Sequence, residues 1–263
     1  MSASAADSLA ALRARALGLE SIGALRRLAR WLEADPRTGA QALAARCRSR
    51  ACEIECESRR MRRLFAFRQR LFGAGALVVA GVDEVGMGPL AGPVVAAAVV
   101  LPARPRLRGL DDSKRLRRPE RERLASAIRE QAEGLAIAEV WVDEIDRRNI
   151  YQAGLLAMRR AVSGLALRPD HVLVDARRIP GIAVDQTPIV GGDGLDASIA
   201  AASVIAKVHR DAIMRRLDGE YPGYGFGHHM GYATREHLRA LRRLGASPVH
   251  RRSFAPVAQM PLF

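Results

Sequence analysis

The stretch that most limits the fold is residues 77–101, LVVAGVDEVGMGPLAGPVVAAAVVL. Two apolar runs rich in Val and Ala flank a polar, glycine-rich centre. Each run has the length of a buried strand, and the Gly and Pro between them prevent one continuous helix. Asp83 and Glu84 stand side by side at the tail of the first run. A charged pair there carries a large desolvation cost unless something compensates it. Neighbouring carboxylates raise each other's pKa, so a divalent cation is their natural partner. Gly86, Gly88 and Gly92 let the backbone come close to a ligand or take positive φ. The plain alternative is a hairpin with an exposed acidic turn.

The 263 residues allow one large domain, or one domain with a small appendage. A formal net charge of +14 points to a polyanion, nucleic acid first and an anionic membrane surface second. No apolar run is long enough to span a bilayer, and the N-terminus lacks the basic-then-apolar order of a secretion signal. The expectation is a soluble, cytoplasmic, monomeric protein without a membrane partner. Cys47, Cys52 and Cys56 lie in one basic segment without a His. They read as three thiols on a helix, with a partial zinc site as the alternative and no disulfide framework.

Residues 1–75 are rich in Ala, Leu and Arg and read as a helical extension. Leu25, Leu28 and Leu32 recur at helical spacing, and Asp35-Pro36 breaks that helix. Arg59, Arg60, Arg62, Arg63, Arg68 and Arg70 interleave with Phe65, Phe67 and Phe72. This set is either a nucleic-acid arm or a solvated basic face. From residue 76 onward strands and helices alternate. A helix is expected over 117–133, a strand over 135–142, a polar turn over 143–149 and a helix over 151–165. Short strands end at Asp175 and Val190, Asp196 or Ser198 opens a long helix, and Thr234 caps another that runs to Leu244. Residues 250–263 read as proline-punctuated coil. The fold class is therefore α/β with a mixed sheet. Trp31 and Trp141 read as core, and His228 and His250 as surface or packing residues.

Asp83, Glu84, Asp175 and Asp193 all follow strand-like runs. If those strands are neighbours, four carboxylates converge at one end of a sheet, where ligands of open α/β folds commonly sit. Hard oxygen donors at this density select Mg²⁺ or Mn²⁺. Two such ions about 4 Å apart suit phosphodiester hydrolysis. No GxxxxGK[ST], no GxGxxG after a strand and no GxSxG is present. Ser113 and Lys114 in the DDSKRL segment suit a phosphate, the alternative being a helix N-cap at Ser113.

These residues resemble a known family, bacterial ribonuclease HII. The segments GVDEVGMGPLAGPVVAAAV, DDSKRL, NIYQA, VLVDA, GGD, SIAAASVIAKVHRD, YGF, GY and HRRSFAPV occur in the family's order over residues 76–257. Residues 1–75 resemble an N-terminal extension found in some members. The resemblance implies an RNase H-like fold, a mixed five-stranded sheet flanked by helices with a C-terminal helical part. It implies cleavage of RNA in RNA–DNA hybrids and at single ribonucleotides in duplex DNA, leaving 5′-phosphate and 3′-hydroxyl ends. It assigns Asp83, Glu84, Asp175 and Asp193 as catalytic metal ligands for Mn²⁺ or Mg²⁺. Substrate binding is implied for Gly86, Met87, Gly88, Ser113, Lys114, Asn149, Lys207, Arg210 and Tyr232. In the family, the backbone of a Gly-Arg-Gly segment contacts the ribose 2′-hydroxyl, and a tyrosine after Lys-Gly stacks on the next deoxyribose. Here Met87 and Met230 replace those two cations, and Gly192 stands where a lysine is usual. The resulting alternative is a hybrid-binding protein with weakened catalysis. A same-fold DNA resolvase or integrase is a third reading. Met87→Arg is expected to raise affinity or rate.

Overall fold

The computed structural model describes residues 7–259. The last residues of the expected C-terminal coil and the first six of the chain lie outside them. Two compact units divide the chain, one ending at Arg63 and one beginning at Leu64. The first holds α1 (Leu9–Gly18), α2 (Ile22–Glu33) and α3 (Thr38–Leu64) but for its last residue. The Ser8 hydroxyl accepts the Ala11 N–H and caps α1. Leu12, Leu25, Leu28, Leu32, Leu43 and Cys47 form the core of this unit, with Trp31 packed against it. Cys52 and Cys56 are exposed.

The second unit opens with α4 (Ala66–Gly73), β1 (Val79–Val85) and β2 (Val94–Val100). There follow α5 (Arg118–Gln131), β3 (Gly134–Val140), α6 (Val142–Arg148), α7 (Ile150–Ser163), β4 (His171–Asp175) and β5 (Asp185–Ile189). The chain continues through α8 (Ala197–Glu220), α9 (Phe226–His229), α10 (Arg235–Leu244) and α11 (Ala255–Ala258). The sheet has five strands in the order β3-β2-β1-β4-β5. β1 pairs antiparallel with β2 and β2 with β3; β4 runs parallel to both β1 and β5. This is the mixed five-stranded sheet the sequence implied. α4, grouped by sequence with the first 75 residues, contributes Phe67, Leu71 and Phe72 to a cluster around Val79 and Leu173 of the sheet.

Alternation along the strands assigns the two faces. Ala80, Val82, Val94, Ala96, Val172 and Val174 pack with α7 residues such as Leu156, Ala157 and Met158. The intervening residues meet α8. At Gly81 the helix backbone comes so close that a Cβ would lie 2.0 Å from the Ser198 carbonyl carbon. Only glycine permits that approach.

Residues 143–149, expected as a polar turn, are mostly helical. Asp143 and Glu144 occupy the first turn of α6 and Arg147 and Arg148 the last. Each charge favours its end of the helix dipole, which supports a helix of only seven residues. The expected caps at Asp196 and Thr234 are present: Asp196 accepts the Ser198 and Ile199 N–H groups, and Thr234 accepts that of His237. Among the described residues no helix is long and apolar enough to cross a membrane.

Candidate active site

Parallel pairing of β1 with β4 sets Val82 opposite Val174. One residue on, Asp83 and Asp175 therefore lie in adjacent strands on the α8 face of the sheet. Glu84, the next residue in β1, turns to the α7 face. Asp193 comes from a 3₁₀ turn, Gly192–Gly194, shortly after β5. All four acids thus lie beyond or at the same end of β1, β4 and β5.

Their surroundings disfavour charge. Burial, and then Glu84, Asp175 and Asp193, hold the Asp83 carboxyl well above its usual range, although Ser203 on α8 bonds to it. Burial pushes Glu84 up to about 7, opposed by Arg177 and reinforced by Asp175. Burial also raises Asp175, opposed by the Gly192 N–H, which donates to its Oδ1 at 2.7 Å. Lys114 Nζ lies 3.2 Å from Asp193 Oδ2, and Arg177 Nη1 lies 3.3 Å from Glu84 Oε1. With two acids held by side-chain cations, no three His, Cys, Asp or Glu side chains close around one point among the described residues. Glu84 Oε2 is buried and has no hydrogen-bond partner among those residues. An all-oxygen donor set, two adjacent acids pushed towards neutrality and an orphaned buried oxygen fit a hard divalent cation.

The loop between β1 and β2 lies beside these acids. Gly86 and Gly92 have φ of +96° and +79°, and a side chain at either would collide with Arg210 or Met214. The loop is tied to the C-terminal segment: Leu90 N–H donates to Gly231 O, Gly92 N–H to Val249 O, and Arg251 N–H to Leu90 O. A Cβ at Gly88 would sit 3.6 Å from the Tyr232 ring, so Gly88 and Tyr232 are neighbours. Tyr232 is 45% exposed, which leaves a ring face for a ligand. Behind it, His237 donates from Nδ1 to Tyr232 O at 2.9 Å, and His237 Nε2 meets His250 Nε2 at 3.0 Å. His250 is buried, whereas His228 is exposed.

Several implied substrate residues are employed differently. Arg210 is fully buried, and its guanidinium donates to the carbonyls of Pro93, Met230 and Ala91. Its assignment as a direct substrate contact is therefore corrected: no part of the side chain reaches solvent. Lys207 is held by Asp211 at 2.7 Å. Ser113 is buried and bonds to Ser203 at 2.9 Å; it does not cap α5, whose N-cap is Arg117. Asn149 sits at φ 71° between α6 and α7, and its side-chain oxygen accepts the Gln152 N–H. Gly192 is more than a missing lysine. A Cβ there would lie 2.6 Å from Ile199 Cδ1 and 3.4 Å from Asp175 Oδ1, so a side chain at 192 would have to displace the end of Ile199 beside the acid-binding N–H.

Arg177 was missed by sequence reasoning. A tight turn at Ala176 (φ 53°) follows β4 and returns Arg177 towards Glu84. Its guanidinium also stacks over the Tyr151 ring at 5.0 Å. The Met87 sulfur and Arg177 Nη1 lie within 2.9 and 3.6 Å of the same point, where a Cβ at Gly154 would sit. A cation from the turn after β4 thus lies beside the position where the β1–β2 loop carries methionine. The available signal was a basic pair, Arg177-Arg178, two residues past a strand-terminal acid.

Comparison with known proteins identifies the family and supports the fold. A sequence profile of the family described as Ribonuclease HII matches residues 80–257. Ribonuclease HII of Myxococcus xanthus is 57% identical over 229 residues, which span 87% of this chain and 78% of that one. Ribonuclease HII of Moorella thermoacetica is 52% identical over 198 residues, 75% of this chain and 96% of its own length. The ribonuclease H2 structure from Pyrococcus horikoshii superposes with a TM-score of 0.60 at 27% identity, covering 69% of this chain and 96% of that one. On the fold, the placement of the acids and these likenesses together, the chain belongs to the ribonuclease HII family and has the ribonuclease H activity that defines it.

Proposed function

We propose that the chain cleaves the RNA strand of RNA–DNA hybrids and nicks duplex DNA at single embedded ribonucleotides, leaving 5′-phosphate and 3′-hydroxyl ends. The observation that carries this reading is the set of four acids beside a glycine loop and an exposed tyrosine. Asp83, Glu84, Asp175 and Asp193 would hold Mn²⁺ or Mg²⁺, two ions in this reading. Bound there, such ions generate a nucleophile at neutral pH and stabilise charge on the phosphate and leaving oxygen. The protein supplies the rest. Lys114, 76% exposed in its side chain, offers a cation to a phosphate once Asp193 is engaged elsewhere. Main-chain N–H groups of the Gly86–Gly88 loop face the ribose 2′-hydroxyl, the group that distinguishes RNA from DNA at one site. The Tyr232 ring stacks on the neighbouring sugar.

The replacements at Met87, Met230 and Gly192 leave this machinery in place, because main-chain donors need no side chain and Arg177 brings a cation to the same corner. The test is a duplex carrying one ribonucleotide, incubated with Mn²⁺ or Mg²⁺. Cleavage on the 5′ side of the ribonucleotide, abolished by Asp83→Asn, supports the reading. Tight hybrid binding without a nick at any enzyme excess would support the binding-module alternative instead.

A further inference from the structure

Arg210 and Arg251 are both fully buried, and among the described residues neither forms an ion pair with a carboxylate. Every side-chain hydrogen bond they make goes to a main-chain carbonyl. Burying two cations without carboxylates is costly, so what their donors hold is informative. Arg251 Nη2 donates to Gly86 O at 2.7 Å and Nη1 to Met87 O at 3.2 Å. Its Nε and Nη2 also donate to Gly92 O at 3.0 and 2.8 Å, so one guanidinium spans both ends of the β1–β2 loop. Arg210 holds Ala91 and Pro93 on the same loop and Met230 beside Tyr232.

Among the described residues no peptide bond is cis. In a trans peptide the C=O and the following N–H point in opposite directions. Tying down the carbonyls of Gly86 and Met87 therefore turns the N–H groups of Met87 and Gly88 away from Arg251. Neither N–H has a hydrogen-bond partner among the described residues. Gly88 is exposed and lies against the Tyr232 ring. The guanidinium also polarises the peptides that it grips, which strengthens their N–H groups as donors.

We infer that Arg251 is a positioning residue for ribose recognition. It fixes the two peptide planes whose N–H groups meet the 2′-hydroxyl, from a C-terminal segment in which its own guanidinium is fully buried. This rests on the proposed reading of embedded ribonucleotides. Arg251 acts on selectivity, since a deoxyribose leaves the fixed donors without an acceptor, whereas duplex binding as such does not depend on it.

The test compares equilibrium binding, in chelator, of three duplexes carrying one ribonucleotide, one 2′-fluoro nucleotide or DNA alone. Arg251→Lys keeps the charge, but one ammonium cannot reach Gly86, Met87 and Gly92 together. It is expected to lower the ribonucleotide-to-DNA affinity ratio at least tenfold with affinity for all-DNA duplex unchanged. Arg68→Lys serves as the control, because Arg68 is equally buried but bonds to Leu101 O, away from the loop. It is expected to lower the thermal midpoint without moving the ratio. Should Arg251→Lys fail to fold, Arg251→Gln, which loses the fork but keeps one amide donor, must show the same loss of ratio. A wild-type ratio in the folded Arg251 variant, or an equal fall on all three duplexes, overturns the inference. A wild-type protein that does not distinguish the duplexes overturns the ribonucleotide reading itself.

Discussion

Glu84 lies at the junction of burial, like charge and one cation. Its native carboxyl is pushed from 4.5 up to about 7. The native state thus holds the proton more tightly than the unfolded chain, so this residue costs stability as pH rises from about 4.5 to about 7. Above that window the cost is constant, at most roughly 3 kcal/mol. In chelator, Glu84→Gln is therefore expected to be more stable than the native sequence by up to about 3 kcal/mol at pH 8, the gap closing towards pH 4. Chemical denaturation at the two pH values measures this, and a gap independent of pH would contradict it. His250, held down to about 4 by burial and by His237, has the opposite pH dependence but is common to both proteins and cancels. Arg177 carries a second residue-scale prediction. Its proximity to Met87 means that an arginine at position 87 would meet a like charge. Met87→Arg alone is expected to gain little, and Met87→Arg with Arg177→Met to recover about the tenfold lost by Arg177→Met alone. Single-turnover rates on the embedded-ribonucleotide duplex complete this double-mutant cycle; strict additivity would separate the two positions.

At the scale of elements, the close approach of α8 to β1 is the contact on which the position of Asp83 depends. Gly81→Ala forces a Cβ into the Ser198 carbonyl and is expected to cost at least about 3 kcal/mol, read as a fall in the denaturation midpoint. Thr234→Ala, which removes only the cap of α10, is expected to cost about 1 kcal/mol. Equal effects from the two would contradict the packing account. Much of this level could be read from residues alone. The strands β1 and β2 declared themselves by apolar runs broken at Gly and Pro, and Asp196 and Thr234 by cap chemistry. Asp83, Glu84, Asp175 and Asp193 were legible because each acid ends or follows a strand. Other features depend on contacts between distant segments. The burial of Arg210 and Arg251 is set by carbonyls of a loop more than a hundred residues away in the chain. Arg177 is placed by a positive φ at Ala176, a residue with no special preference for it. α6 is hidden from a pattern reading because its seven polar-rich residues show no apolar period, although their charges suit a helix.

For the whole molecule, a net charge of +14 predicts strong salt dependence of duplex binding. The affinity should fall linearly in log–log form, with a slope of about −0.9 per phosphate neutralised. Residues 1–63, which have their own core, carry +6 of this charge and the rest of the chain +8. The Moorella relative, spanned almost entirely by 198 residues of this chain, has no room for a comparable extension. If four acids at one sheet end serve hydrolysis at a ribonucleotide, a single cleavage assay shows it. Native protein and Asp83→Asn are each incubated with a duplex containing a single ribonucleotide, across a Mn²⁺ and Mg²⁺ titration. A metal-dependent nick on the 5′ side of the ribonucleotide is expected from the native protein alone. An equal nick by Asp83→Asn, or none by the native protein at any metal concentration, would contradict it.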